Sequence, residues 1–346
     1  MDTSEKIVKI GDITIYNNDV SALYDDWEPP DVIMSDGGYG VSGFKGDANT
    51  PLELQAWYQP HIEAWSRSAR AGTTLWFWNT EIGWAIVHPI LDENGWDYVC
   101  CNTWNKGINH IAGNCNLPKL KHFPIATELC VQYAKRPEFE VDGERLTLKE
   151  WLRHEWERTG LPLYKANEAC GVANAATRKY LTKCHLWYAP PAEHFQELVA
   201  YANKHGKEKA KPYFSVDGKT SMSTTEYEGL FPKFDGKYGI TNVWEHPPLH
   251  NTERIRIPGS QKYAHLNQKP FNLIKMIIEV SSDPSDMIWE PFGGLCTAGL
   301  ASFFTNRRAL CAEIDEEIFK IAVERIESYL TDLFISQSEV EYVTVK

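Results

Sequence analysis

With 346 residues, the chain is long enough for one large or two ordinary domains with a sizeable core. Its 43% hydrophobic and 24% charged content excludes a disordered or fibrous chain, and its formal charge of -12 excludes a surface that is basic throughout. No apolar run reaches the roughly 18–20 residues of a membrane span, and the opening MDTSEKIVKIGD has no apolar signal region. A cytoplasmic protein with reduced thiols is expected, since the eight cysteines show no CxxC spacing.

In chain order, KIVKIGDITIYNND reads as two short strands around a turn, and PPDVIMSD as a short buried strand. That strand runs into Ser35-Asp36, two glycines and Tyr39. LELQAWYQPHIEAWSRSARAG has helical apolar spacing and should end at Gly72. TTLWFWN is a β-branched and aromatic strand, IGWAIVHPILDENGW a helix up to Pro89, and YVCCNTWNKG a further strand. This alternation predicts an α/β domain with a mostly parallel sheet. Cys100, Cys101, His110, Cys115 and His122 match no common zinc spacing, so no metal is expected.

Residues 107–145 read as irregular, and 147–206 as mostly helical. PLYKANEACGV and NAATRKYLTKC meet at Gly171-Val172 in the manner of a helix-turn-helix over 161–184, a plain helical hairpin being the alternative. Arg178, Lys179 and Lys183 on its second segment are candidate phosphate or base-edge contacts. Residues 104–214 carry 17 Lys/Arg against 12 Asp/Glu, a mildly basic stretch in an acidic chain. Few phosphate contacts, and hence a shallow salt dependence, are expected of any nucleic-acid binding.

The α/β pattern returns after residue 262. NQKPFNLIKMIIEVSS is an amphipathic helix from about Pro270, and DMIWEPFGG a strand ending in a glycine turn. LCTAGLASFFTNR is the next helix, RALCAEID a strand ending in acids, EEIFKIAVERIESYL a helix, and the last eleven residues a loose tail. Strand, glycine turn, helix and an acid on the next strand form half of a nucleotide-binding βαβ unit. Gly293 and Gly294 allow close approach of a ligand, and Glu313 can accept from ribose hydroxyls. The glycines lack the GxGxxG register of a pyrophosphate grip, which favours a nucleoside without phosphates such as S-adenosylmethionine (AdoMet) over a dinucleotide.

The order DGGYG (36–40), HLNQKPFNLI (265–274), EPFGGLCTA (290–298) and AEID (312–315) resembles the β-class of DNA amino-methyltransferases. That class carries a (D/N/S)-P-P-(Y/F/W) motif near its N-terminus, then a target-recognition region, a TQKP segment, DPFxGSGTT and an acid. The strand LWFWN and the opening ITIYNND fit as well. In this chain both motif prolines are glycine, Glu290 stands for Asp, Leu295-Cys296 for Ser-Gly, and Asn267 for Thr.

The resemblance implies a doubly wound, Rossmann-like AdoMet-dependent methyltransferase sheet with circularly permuted motif order and an inserted, mainly helical region. It sets residues 1–106 as the catalytic half, 107–240 as the target-recognition insert, 241–335 as the AdoMet-binding half and 336–346 as a tail. It implies catalytic roles for Asp36, Gly37, Gly38 and Tyr39. The Asp36 carboxylate and Gly37 carbonyl would accept the hydrogens of an exocyclic amine, and Tyr39 would stack on a flipped base. It implies AdoMet binding by Asp19, His265, Asn267, Gln268, Lys269, Pro270, Glu290, Phe292, Gly293, Gly294, Thr297, Glu313 and Asp315. Double-stranded DNA is the implied partner, with a companion restriction endonuclease, a phage or orphan role, or a homodimer as further expectations. Asp at the first motif position favours adenine N6 over cytosine N4. The alternatives are an AdoMet- and DNA-binding relative with impaired catalysis, its motif loop loosened by the lost prolines, and an RNA methyltransferase.

Overall fold

The computed structural model describes residues 6–42, 45–110, 119–208, 210–250, 253–265, 267–332 and 340–344. Its regular elements begin with β1 (Lys6–Ile10), β2 (Ile13–Asn17), β3 (Val32–Ser35), α1 (Leu54–Ser68), β4 (Thr74–Asn79), α2 (Glu81–Glu93), β5 (Trp96–Asn105) and β6 (Thr127–Lys135). Then follow β7 (Glu138–Val141), β8 (Glu144–Thr147), α3 (Leu148–Arg158), α4 (Lys165–Ala169), α5 (Ala192–His205) and α6 (Thr224–Glu228). The chain ends with β9 (Val243–Glu245), α7 (Phe271–Ser281), β10 (Met287–Glu290), α8 (Thr297–Phe304), β11 (Arg308–Ala312), α9 (Glu316–Asp332) and β12 (Val340–Thr344). No helix among the described residues is long and apolar enough to cross a membrane.

Residues 1–135 and 232–346 make one compact unit, and 136–231 a second. The first is built on a ten-stranded sheet of order β12-β1-β2-β11-β10-β3-β4-β6-β5-β9. β2, β11, β10, β3 and β4 run parallel to one another. From β10 the chain winds through α8 to β11 on one side, and from β3 through α1 to β4 on the other. A crevice therefore opens at the carboxyl ends of β10 and β3, the switch point where such sheets bind ligands. Val32, Ile33, Leu75, Phe77, Ile288 and Trp289 are wholly buried, because helices cover both faces. The apolar faces of α7, α8 and α9 pack on one side and those of α1 and α2 on the other.

The second unit packs α3, α5 and the hairpin β7–β8 around Trp151, Trp156, Phe195, Phe214 and Tyr227. The segments expected as a helix-turn-helix form only short elements, the five-residue α4 and a single π-helical turn, Ala176–Tyr180. Asn167 joins them, its Oδ1 accepting from the Thr177 amide at 3.2 Å. Arg178, Lys179 and Lys183 are exposed on and after that turn. Lys179 lies over the Tyr188 ring, and Lys183 stands 3.9 Å from Glu157.

Other expectations are corrected. The stretch 107–145 contains β6, a nine-residue central strand, together with β7 and β8. β6 is buried on both faces between β4 and β5, so its residues do not alternate in polarity. α2 continues past Pro89, because Val87, Ile90 and Leu91 bury its inner face on both sides of the proline. α1 ends at Ser68 rather than Gly72. Residues 340–344 of the expected tail form β12, paired antiparallel with β1. Cys115, one of the cysteines weighed for zinc, lies outside the described residues.

Candidate active site

The crevice is lined by Met34, Asp36, Trp78, His265, Lys269 and Phe292, with the turn Gly293–Leu295 at its floor. β3 ends at Ser35 and delivers Asp36 to its rim. The next residues are held by hydrogen bonds. Asp47 accepts from the amides of Tyr39 at 3.1 Å, Gly40 at 3.2 Å and Val41 at 3.5 Å. The Gly38 carbonyl accepts from Asn79 Nδ2 at 2.9 Å and the Tyr58 hydroxyl at 3.1 Å. Gly40 has φ +69° and lies against the backbone of Thr50 and Pro51, where a side chain has no room.

Glycine at 37 and 38 follows from packing. A Cβ on Gly37 would lie 2.6 Å from the Phe292 ring and 2.8 Å from the Tyr58 hydroxyl. One on Gly38 would collide with the Asp47 carboxylate. Phe292 is itself wedged among Trp57, Tyr58 and His61, at ring separations of 5.1, 6.3 and 5.0 Å.

Around Asp36 lies a charge cluster. Lys269 Nζ donates to Asp36 Oδ1 at 2.6 Å and reaches Glu128 Oε1 at 3.1 Å. The Tyr39 hydroxyl is shared between the same two oxygens, at 2.8 and 2.6 Å. Lys106 Nζ stands 2.8 Å from Glu128 Oε2. Burial disfavours the Lys269 charge, but Asp36 and Glu128 outweigh it and raise the ammonium above its ordinary value. Burial likewise opposes ionisation of Glu128, but Lys269 and Lys106 prevail and pull its carboxyl down to about 2. Burial and the two carboxylates hold the Tyr39 phenol protonated. Among the described residues no hydrogen bond reaches Asp36 Oδ2 or the Gly37 carbonyl oxygen, and Asp36 lines the crevice.

The residues expected at the cofactor divide by what they do. Gly294, at φ +52°, donates its amide to Glu313 Oε2 at 2.8 Å. Glu313 Oε1 takes the Asp315 amide at 2.7 Å, and burial pushes the Glu313 carboxyl up to about 7. A Cβ on Gly293 would come within 3.0 Å of the Ala312 carbonyl, so the turn is a cradle without side chains. The His265 ring lies 3.5 Å from where a Gly294 Cβ would stand, and burial lowers its pKa. Asp19, at the end of β2, accepts from the Ser21 amide at 2.9 Å; burial works against its charge, but the Ser21 bonds lower its pKa overall. A half-buried carboxylate beside a glycine cradle, with Phe292 as an aromatic wall, fits the ribose and ring of a nucleoside.

Asn267, Gln268, Glu290 and Thr297 line the same crevice, and several of the expected residues also secure the scaffold. Glu290 accepts the Ala298 and Gly299 amides at 2.9 and 2.8 Å, closing the start of α8. Burial raises its carboxyl to about 7. Cys296 and Cys311 lie beside it as the one close cluster of metal-ligating residue types among the described residues. Thr297 accepts from Arg325 at 3.1 Å, and Asp315 from the amides of Glu317 and Ile318 that open α9. Gln268 ties its segment to Ile255 at 3.1 Å, Pro270 precedes α7, and Asn267 is exposed. Lys269, expected at the cofactor, sends its ammonium to Asp36. The sequence reading missed Lys106, Glu128, Asp47, Tyr58 and Asn79. Only Glu128 left a signal, as an acid just before the mainly apolar LCVQYA.

Residues 27–324 match the profile of the family N6_N4_Mtase, described as DNA methylase. The chain belongs to this DNA methylase family. It is 34% identical over 86 residues to the DNA adenine methyltransferase YhdJ of Escherichia coli (strain K12), covering 25% of this chain and 27% of that one. It is also 34% identical over 76 residues to the type II methyltransferase M.HindIII of Haemophilus influenzae (strain ATCC 51907 / DSM 11121 / KW20 / Rd), covering 22% and 25%. The matched segments thus span about a quarter of these relatives. Among solved structures, the M1.HpyAVI–SAM complex aligns with a TM-score of 0.50 at 14% identity, over 91% of this chain and 98% of that one. The cytosine-N4-specific PvuII DNA methyltransferase aligns with a TM-score of 0.50 at 11% identity, over 94% and 92%. The α/β methyltransferase fold is therefore shared across nearly the whole chain.

Proposed function

We propose that this family member transfers a methyl group from AdoMet to the exocyclic amine of a base flipped out of duplex DNA, adenine N6 in preference to cytosine N4. The observation that carries the reading is the pair of unengaged acceptors, Asp36 Oδ2 and the Gly37 carbonyl, beside the glycine cradle. Bound in that cradle, AdoMet supplies an electrophilic methyl on a sulfonium sulfur. Glu313 would hold the ribose, Phe292 the adenine ring, and Gly293–Gly294 the close backbone wall.

An exocyclic amine is a poor nucleophile, because its lone pair is delocalised into the ring. Asp36 and Gly37 would each accept one amine hydrogen and draw the nitrogen toward tetrahedral geometry. The nitrogen lone pair then forms the N–C bond as the C–S bond breaks and sulfur keeps its electrons. Asp36 takes the released proton on its way to water. The protein's contribution is positioning and preorganised polar groups. Glycine in place of proline leaves the carbonyl in place, and Asp47, Asn79 and Tyr58 hold the loop, which speaks against the impaired-enzyme reading. Asp at the first motif position and the relative named as an adenine methyltransferase favour adenine. The type II relatives support a modification role beside a restriction enzyme.

The test is incubation with labelled AdoMet and mixed-sequence duplex DNA, digestion, and mass spectrometry of the nucleosides, with Asp36→Ala alongside. N6-methyladenine that vanishes in the variant is the expected product. N4-methylcytosine would overturn the base assignment, and no product with AdoMet bound would overturn the activity.

A further inference from the structure

Stacking on a base needs only an aromatic ring, since every base has a π-face. Stacking therefore does not account for the Tyr39 hydroxyl. The ring is half-buried, and its oxygen lies 2.8 Å from Asp36 Oδ1, 2.6 Å from Glu128 Oε1 and 3.3 Å from Lys269 Nζ. A phenol has one proton to donate, so it satisfies one carboxylate at a time, and its oxygen accepts from the ammonium.

Glu128 reaches this point from a central strand. It is the second residue of β6, which lies between β4 and β5. Cys130, two residues on and hence on the same face, pairs with Trp78 of β4, which lines the crevice. Trp104 of β5 pairs with Glu128 itself, and Lys106, two residues beyond Trp104, stands 2.8 Å from Glu128 Oε2. The side chains of Glu128 and Lys269 are only 13% and 4% exposed, so water does little to loosen these contacts.

The two oxygens of Glu128 thus do different things. Oε2 is held from behind by Lys106. Oε1 takes both Tyr39 and Lys269, and each of those two also donates to Asp36 Oδ1. Asp47, Asn79 and Tyr58 hold the backbone of residues 38–41, but their bonds leave the side-chain torsions of Asp36 and Tyr39 free. Without Glu128, the hydroxyl and the ammonium could turn to either oxygen of Asp36, including the Oδ2 that the proposed reaction needs.

Resting on the proposed methyl transfer, we infer that Glu128 is a positioning residue of the reaction: it brackets Tyr39 and Lys269 onto Asp36 Oδ1. The bracket keeps Asp36 Oδ2 open for the target amine and fixes the Tyr39 ring as the platform for the flipped base. Its effect falls on the chemical step and leaves cofactor binding in place.

The experiment measures single-turnover transfer of labelled methyl groups to saturating mixed-sequence duplex DNA. It compares wild type, Tyr39→Phe, Glu128→Gln and the double variant, with AdoMet affinity measured by calorimetry. Tyr39→Phe keeps the ring and every charge and loses only the bracketed hydroxyl. Glu128→Gln keeps the shape but has a single accepting oxygen, so it must release either Lys106 or the Tyr39–Lys269 pair. Each single variant should transfer about tenfold more slowly, with AdoMet affinity within about threefold of wild type. The double variant should be no more than about threefold slower than the slower single one, because both changes break the same bracket. If Glu128→Gln unfolds, Tyr39→Phe alone decides. Transfer by Tyr39→Phe within about twofold of wild type would reduce Glu128 to charge balance and overturn the inference, as would losses that multiply in the double variant. Either result leaves the methyltransferase reading standing. Wild type that binds AdoMet but transfers no methyl group to DNA would overturn that reading, and this inference with it.

Discussion

The Lys269 ammonium stands 2.6 Å from Asp36 Oδ1 and 3.1 Å from Glu128 Oε1, so one buried cation is shared by two carboxylates. Removing it alone leaves the Asp36 and Glu128 carboxylates facing each other with only Lys106, on the far oxygen of Glu128, to offset them. Lys269→Met should therefore destabilise the protein by about 3–5 kcal/mol in urea unfolding. Adding Glu128→Gln removes one of the stranded charges and should recover at least half of that loss. If the two changes are additive instead, the carboxylates are not coupled through Lys269.

Asp47 accepts three successive backbone amides, from Tyr39, Gly40 and Val41. A loop of two glycines has many conformations, and these bonds select one. Asp47→Ala should lower single-turnover methyl transfer about 10- to 100-fold, because the acceptors on Asp36 and Gly37 lose their alignment. AdoMet affinity, measured by calorimetry, should stay within about threefold, since Asp47 touches none of the cradle. A parallel loss of affinity would mean that the whole crevice had collapsed.

The sequence was most readable where a chemical demand falls on consecutive residues. SDGGYG, EPFGGLCTA and AEID each sit at a strand end, and their order led to the methylase family that the profile match then bore out. Contacts distant in sequence were not readable. Glu128 joins Asp36 only because β6 is inserted between β4 and β5, and nothing near residue 36 announces it. β6 itself was missed because a strand buried on both faces shows no alternation. Gln268, Thr297 and Asp315 lie in or beside the motifs, yet their hydrogen bonds secure helix ends and loops. Gln268 and Thr297 line the crevice as well, so a residue of the motif can serve the wall and the scaffold together.

Proline at the two glycine positions of DGGY would look like a repair of the motif, but packing argues the reverse. A Cβ on Gly37 meets the Phe292 ring at 2.6 Å, and that ring is confined by Trp57 and His61. Gly37→Ala and Gly37→Pro should each cost about 1–3 kcal/mol of stability through overpacking and lower methyl transfer at least about tenfold. Gly37→Ala combined with Phe292→Leu should regain stability, because the smaller side chain yields the space. Equal thermal midpoints for wild type and Gly37→Ala would show that the contact relaxes without cost.

Glu313 supplies the pH dependence. Burial raises its carboxyl from 4.5 to about 7 in the folded protein. Folding thus favours the protonated form, and this contribution to stability is full below about pH 4.5 and is lost as pH rises through about 7. Glu290, also raised to about 7, adds a contribution of the same sign. Without ligand, stability should fall between about pH 5 and 8. AdoMet binding should follow the opposite trend, because only the Glu313 carboxylate accepts fully from ribose hydroxyls. Affinity should tighten about tenfold from pH 6 to pH 8 in wild type and stay flat in Glu313→Gln. The ligand-free stability trend should survive in that variant, carried by Glu290. The two readouts separate the acid at the cradle from the acid that closes α8. A Glu313→Gln variant whose AdoMet affinity still rises with pH would remove Glu313 from the binding site.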